Sequence, residues 1–275
     1  MIRHAAALAP AALVLAAWPA LAEAPAHAPL YEALELPRVV SIMRDEGVGY
    51  GVDLAEQMFP AAAGESWRAS VERIYDEAAM LSRLQAGLDE ALAKTDVPAM
   101  TGFFASDLGR RIVGLELSAR EAMADDGVDA AARAGWEAIL AEDGARAELI
   151  ERFVEVNDLV EENVVGGLNS NFAFMRGLNA GGAFERALPE GEILADVWGS
   201  EPQIRDETAE WVFGYLSMAY SPLSDDELEA YVEFSDTEAG RELNRALFEA
   251  FDAMYDGMSY DLGRAAAGRM AGEAL

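Results

Sequence analysis

The chain lacks cysteine altogether, has two histidines and contains one lysine, Lys94. Without cysteine it can form no disulfide and has no thiolate for nucleophilic or metal chemistry. The histidines are His4 and His27, both near the N terminus. A Ser-His-Asp triad, histidine acid/base catalysis and His-rich zinc sites therefore have no residues to use in the body of the chain. Packing must supply the stability of the fold.

The sequence also lacks the alternation of apolar and polar residues that is typical of strands. Apolar residues recur instead at steps of three and four, as they do over 66–92 and 145–178. We therefore expect an all-α protein, an antiparallel helical bundle, with each of these two ranges forming one long helix. The Gly-rich range 179–199 predicts a loop with a short turn at 193–198, and Ser200 with Gln203 predicts a capping box after it.

Residues 1–22 have the pattern of a secretory signal peptide. Arg3 precedes an apolar run that reaches Trp18, and Ala20 and Ala22 supply the small residues that signal peptidase reads. We predict cleavage before Glu23, a periplasmic location and a disordered leader over 23–29. Retention of the segment as an anchor is the alternative. No later run is long and uncharged enough to span a membrane, so we expect no integral span after cleavage.

The charge is strongly one-sided. Fifty Asp and Glu residues against 20 Lys and Arg residues give a net charge of −30. Binding to nucleic acid or to an anionic membrane surface depends on clustered cations, so both are excluded as expected partners. An envelope protein or a small molecule remains as the expected partner.

A helix-corner-helix motif occurs twice in register. In the second copy, Ser224 and Glu227 form a capping box that starts a short helix, and a new cap starts the next helix after Asp236. The paired positions are Phe103 with Phe234, Ser106 with Thr237, Gly109 with Gly240, and Arg110 with Arg241. We interpret the Ser and Thr as caps, the glycines as sites of close helix packing and the arginines as partners of nearby acids or carbonyls. These roles are structural.

This capped short helix, followed by Phe, a Ser or Thr cap and Gly, resembles the family catalogued as domain of unknown function number 2059, which consists of exported proteins of Gram-negative bacteria. The first copy departs from the pattern, since Thr95 and Pro98 stand where the capping box would be. The resemblance implies an exported, all-helical protein and supplies no catalytic residues. Together with the duplicated motif it predicts two helical repeats, over 30–143 and 144–275.

The sequence nominates no catalytic, cofactor-binding or metal-binding residue. Asp125 and its acidic neighbours lack the length and the terminal Glu of a calcium loop, and the C-terminal turn of a helix is the preferred interpretation. The Gly-rich stretches lack the lysine and the strand that a phosphate-binding loop requires. Glu46 and Glu162 have apolar neighbours and are the candidates for an acid of raised pKa, although a solvated or Arg-paired carboxylate is the more ordinary interpretation.

An unusual group of asparagines lies in the range 157–171. Asparagine is a poor helix former unless its amide finds partners. One hypothesis is a polar pocket between the two halves; the favoured one is hydrogen bonding at a close helix crossing. The residues are Asn157, Asn163, Asn169 and Asn171.

With histidine and cysteine chemistry excluded, helical surfaces and grooves are the main features through which the chain could act. We therefore predict a non-enzymatic periplasmic protein with a binding or envelope-interaction role. The alternative is a carboxylate-dependent hydrolase acting on cell-wall glycan, which requires two acids across a cleft.

Overall fold

The computed structural model describes residues 26–142 and 144–273, and the regular elements in these ranges are all helical. The first half contains α1 (Ala28–Ala33), α2 (Leu36–Met58), α3 (Glu65–Ile74), α4 (Glu77–Ala91), α5 (Val97–Phe104), α6 (Asp107–Ala122) and α7 (Asp126–Glu142), with a 3-10 turn at Pro60–Ala62. The second half contains α8 (Gly144–Val156), α9 (Leu159–Ala180), α10 (Glu190–Gly199), α11 (Glu201–Tyr220), α12 (Asp225–Ser235) and α13 (Glu238–Glu273). The expected all-α class is confirmed. The predicted signal peptide and residues 23–25 of the predicted leader lie outside the described residues, and the last two leader residues, Ala28 and Pro29, belong to α1 instead of a disordered segment.

Both long helices predicted from periodicity are interrupted, so each prediction of a single helix is wrong. The first breaks at Tyr75, and the carboxylate of Asp76 accepts a hydrogen bond of 2.9 Å from the amide of Ala79 to start α4. The second breaks at Asp158, whose φ of +48° places it in the left-handed region. Glu35, before α2, has a φ of +50° and is the other non-glycine residue of positive φ among the described residues.

The predicted loop over 179–199 is also wrong at its C-terminal end, where α10 forms after Pro189. Ile193 and Val197 of α10 pack against Val164 and Leu168 of α9, and this burial supports a helix that the glycines of the sequence do not suggest. The capping box predicted at Ser200 is absent, because its side chain makes no capping hydrogen bond. The capping box of Ser224 and Glu227 is confirmed, with both of its hydrogen bonds formed.

The longest helix, α13, lies at the centre of the molecule and packs against α4 of the first half and α9 of the second. It runs antiparallel to α4, with Ala250 against Gly87 and Gly257 near Arg83. It runs parallel to α9, so the antiparallel arrangement expected for the bundle does not hold for this pair. At the α9–α13 crossing a Cβ at Gly177 would lie 2.2 Å from the carbonyl oxygen of Tyr260, so the two backbones touch.

Most buried apolar side chains form one continuous core that extends through both halves. Val164, Leu168, Ile193 and Val197 form a second, smaller cluster between α9 and α10. In the part of the chain that the structure describes, no helix is long and apolar enough to cross a bilayer.

Candidate functional site

A cavity of about 540 Å³ lies between α6, α8, α9, α11, α12 and α13. Its wall carries many aromatic rings: Phe153, Trp211, Tyr215, Tyr220, Tyr231, Phe248, Phe251 and Tyr255. Polar side chains line the same space: Glu116, Arg120, Asn157, Glu162, Asn163, Ser170, Asn244 and Asp252. An apolar cavity with a few convergent polar groups is the usual form of a small-molecule site.

Glu116, in the middle of α6, is surrounded by tyrosines. The hydroxyl of Tyr220 donates a hydrogen bond of 2.6 Å to its carboxylate, and the hydroxyl of Tyr231 lies near the same group. The hydroxyl of Tyr215 donates to its main-chain carbonyl oxygen at 3.0 Å. Burial raises the pKa of Glu116 to about 7, although the hydroxyls of Tyr220 and Tyr231 act in the opposite direction. The carboxyl group therefore changes charge near neutral pH.

Residues of α8 hold Tyr220 and Tyr231 in place. The buried side chain of Arg146 donates hydrogen bonds to the carbonyl oxygen of Tyr220 and, at 2.8 Å, to the carboxylate of Asp225, which joins the end of α11 to the start of α12. The ring of Phe153 lies 5.4 Å from that of Tyr220 and 4.7 Å from that of Tyr231, centroid to centroid. These contacts hold the hydroxyls of Tyr220 and Tyr231 on Glu116.

A second acidic position lies on the α9–α13 wall of the cavity. Asp252 of α13 packs against Gly166 of α9, where a Cβ would come within 2.7 Å of an Asp252 carboxylate oxygen. Burial, and then the charges of Asp256 and Glu162, raise the pKa of Asp252 to about 6. Gly166 therefore provides the space in which this carboxylate sits beside Glu162.

The one arginine of the cavity wall is already paired. Arg120 donates two hydrogen bonds of 2.9 Å to the two carboxylate oxygens of Glu46, in a bidentate ion pair. The sequence nominated Glu46 as a candidate acid, and this pairing gives it the more ordinary Arg-bound state. Glu162, the other candidate, faces the cavity.

The two corners have matching local geometry. The side-chain oxygens of Ser106 and Thr237 each accept a 3.0 Å hydrogen bond from the amide three residues on, in Gly109 and Gly240. A Cβ at Gly109 would lie 2.2 Å from the carbonyl oxygen of Phe103, and one at Gly240 would lie 2.2 Å from that of Phe234. Each glycine therefore packs against the end of the preceding short helix.

The arginines of the two corners are exposed, and each forms hydrogen bonds with residues of its own corner. Arg110 donates to the carboxylate of Asp107 at 2.5 Å and to the carbonyl oxygen of Ala105. Arg241 donates to the carboxylate of Asp236, which stands at the position of Ala105 in the other corner. Both arginines contact their own corner and lie outside the cavity.

The asparagines do not form one cluster. Asn157 and Asn163 line the cavity, but their amide groups donate to the carbonyl oxygens one turn back, at 2.9 and 2.7 Å. Asn244 of α13 donates to the carbonyl oxygen of Asn157 at 2.9 Å, which joins the two helices. Asn171 lines a separate cavity of about 370 Å³, and Asn169 is exposed and lines neither.

Sequence reasoning missed the central acid and its tyrosines. Glu116 is one of 50 acidic residues and has no local feature that distinguishes it. One signal was present, since four of the eight tyrosines fall between positions 215 and 255. A tyrosine hydroxyl usually finds a hydrogen-bond partner when buried, so this concentration in predicted core helices indicates a polar group among them.

Asp125, expected in the C-terminal turn of a helix, caps the start of α7 instead, and its carboxylate accepts from the amides of Gly127 and Val128. Within the described ranges no three acidic or histidine side chains are grouped to hold a metal ion. No family model, curated protein or solved structure matches the chain. The family resemblance carried by the corners therefore stays a prediction.

Proposed function

We propose that the chain is an exported periplasmic binding protein without catalytic activity, and that it holds a small molecule in the cavity between α6 and α13. The observation that carries this proposal is the cavity itself, in which aromatic rings from four helices surround a few polar groups. Its volume of about 540 Å³ lies within the range of roughly 300–1,000 Å³ that is usual for small-molecule sites. Export and membership of the family named above are part of the proposal, and the N-terminal pattern and the corner motif support them.

We also propose that the fold consists of two related units, over 30–143 and 144–275. The succession of helices from α1 to α6 resembles that from α8 to α13, and a residue of positive φ precedes the second helix of each series, at Glu35 and Asp158. The capped corner follows at the same place in both. Packing between the units is reciprocal, since α4 packs on α13 and α11 packs on α6.

A comparison of the proposed units supports a binding role for the cavity that both of them line. Glu116 lies ten residues after the cap Ser106, and Leu247 holds that position after Thr237. By the same register Tyr231 corresponds to Met100, which is fully buried in the core. The positions equivalent to Glu116 and Tyr231 therefore carry aliphatic side chains, so packing alone does not require an acid and a tyrosine here.

Native mass spectrometry tests the proposal, with the purified protein incubated in the small-molecule fraction of a bacterial envelope extract. We expect a bound mass on the parent protein and its loss from Gly167→Leu, because Gly167 lines the cavity and a Cβ there meets only Ile204, at 3.8 Å. Gly268→Leu is the matched control, since a Cβ there meets nothing within 4 Å. A bound mass that persists in Gly167→Leu would show that the ligand lies elsewhere.

Export is tested separately. Expression of the full chain in a Gram-negative host, followed by fractionation and N-terminal sequencing, should give a periplasmic protein that begins at Glu23. A protein that keeps residues 1–22 in the cytoplasm would contradict the proposed location and leave the cavity proposal standing.

A carboxylate-dependent hydrolase of cell-wall glycan is the second candidate. One observation favours it: Glu116 and Asp252 line one cavity, and their pKa values of about 7 and about 6 suit a general acid near neutral pH. Purified protein would then release soluble fragments from cell-wall preparations, and Glu116→Gln or Asp252→Asn would abolish the release. Absence of any release from the parent protein excludes this candidate.

A further inference from the structure

The acids of the cavity have no cationic partner of their own. Arg120 is held by both carboxylate oxygens of Glu46. Among the ion pairs of the described residues, none includes Glu116, Glu162 or Asp252. Burying unpaired carboxylates costs free energy, so a ligand that neutralises them is favoured over one that does not.

The rings around these acids also favour a positive charge where their faces border the cavity. Trp211 and Tyr215 stack with their centroids 5.1 Å apart and form part of the wall, and Tyr255 and Phe251 line it from α13. The face of an aromatic ring attracts a cation, and the attraction is stronger where water is excluded. Aromatic walls with carboxylates at two places are a poor site for an anion and a suitable one for an organic cation.

The net charge of the whole chain acts in the same direction. A protein of net charge −30 raises the concentration of cations at its surface and repels anionic molecules. A cationic ligand would therefore be drawn to the cavity as well as held in it.

We propose that the cavity binds an organic cation, whose protonated amine is attracted by the carboxylates of Glu116 on one wall and of Glu162 and Asp252 on another, and whose apolar body lies against the aromatic rings. This inference rests on the proposed binding function and adds the chemical class of the ligand. It requires that the charge of the ligand, and not its shape alone, determine affinity.

Three probes of similar shape separate charge from shape: 4-phenylbutylamine, 4-phenylbutanol and 4-phenylbutyrate. Binding is measured by isothermal titration calorimetry at about pH 8, where Glu116, with its pKa of about 7, is mostly ionised. The amine should bind at least about tenfold more tightly than the alcohol, because a hydrogen bond to a charged group exceeds a neutral one by that order. The carboxylate should bind more weakly than both.

Glu116→Gln and Asp252→Asn keep the shape of each side chain and remove its charge. Each should weaken amine binding by about tenfold or more and leave alcohol binding nearly unchanged. Glu249→Gln is the matched control, because Glu249 is exposed on α13 outside the cavity and its loss changes the net charge by the same amount. Rising salt should weaken amine binding more than alcohol binding.

Equal affinity for amine and alcohol, or an amine affinity unchanged in both cavity variants, would overturn the cation inference while the proposed function stands. Tighter binding of the carboxylate probe would overturn it in the same way. If none of the three probes binds and the envelope extract also yields no bound mass, both the inference and the proposed function fail.

Discussion

The rings of Phe103 and Phe234 stack face to face, with centroids 4.0 Å apart and planes within 8° of parallel. They hold equivalent positions in the two corners, one residue before α5 ends and one before α12 ends. The repeated motif is therefore also a contact, in which each copy packs on the other. Phe104 and Tyr231 surround the pair with edge-on and stacked rings.

The Phe103–Phe234 contact predicts energetic coupling between the corners. Phe103→Leu and Phe234→Leu should each lower the free energy of unfolding, and the double mutant should lose less than the sum by about 0.5–1.5 kcal/mol. Urea unfolding of the four proteins measures this difference. Phe103→Leu combined with Phe59→Leu is the control, because Phe59 packs edge-to-face against Trp67 instead, and these two losses should add.

The corner glycines should not tolerate a methyl group. Gly109→Ala and Gly240→Ala place a Cβ 2.2 Å from a carbonyl oxygen, so each should lower the free energy of unfolding by about 1–3 kcal/mol. Gly114→Ala, on the same helix as Gly109 but with nothing within 4 Å, should raise it by up to about 1 kcal/mol. Urea midpoints that rise for Gly109→Ala and Gly240→Ala would refute the close packing of the corners.

Glycines at the crossing of α9 and α13, outside the corners, should also be sensitive to an added methyl group. Gly177→Ala and Gly263→Ala each bring a Cβ to 2.2 Å from a carbonyl oxygen of the facing helix and should separate the two helices, with a loss of at least about 1–3 kcal/mol. Gly268 lies farther along α13, and a Cβ there would meet nothing within 4 Å, so Gly268→Ala should be neutral or stabilising. Thermal unfolding distinguishes the outcomes, and equal melting temperatures for Gly177→Ala and Gly268→Ala would contradict the crossing.

Glu116 should make the free energy of unfolding depend on pH. Its pKa is raised by burial from 4.5 to about 7, so the folded state retains the proton in a range where the unfolded chain has lost it. Its contribution to stability is therefore present below about pH 4.5, declines as the pH rises and is lost above about pH 7. The groups that face it are the neutral Tyr215, Tyr220 and Tyr231, with the Arg120–Glu46 pair nearby.

Glu116→Gln removes this dependence, since Gln does not titrate. Relative to the parent protein the variant should gain stability as the pH rises from about 4.5 to about 8. Chemical unfolding across this range measures the gain. Glu249→Gln, an exposed change of the same charge, should show no such trend, and a Glu116→Gln curve parallel to that of the parent would place the carboxylate in water.

The features that could be predicted from the sequence depend on residues that lie close together in the chain. The corner at Ser224 and the cap at Thr237 follow from capping chemistry, which involves residues three apart. The interruptions at Tyr75 and Asp158 could not be read from periodicity, because the apolar residues on either side of each break continue the helical spacing. Tertiary packing decides such breaks, and it also brings Glu116 of α6 to Tyr231 of α12, residues that no sequence spacing relates.

The central position of α13 determines when the fold can be completed. Of the helices described, α13 follows all the others in the chain, yet it covers the apolar faces of both α4 and α9. Neither helix can bury that face until α13 has been made, so much of the core depends on contacts between residues far apart in sequence, which slow folding. The apolar faces of α4 and α9 therefore remain accessible to chaperones and proteases until α13 has packed against them.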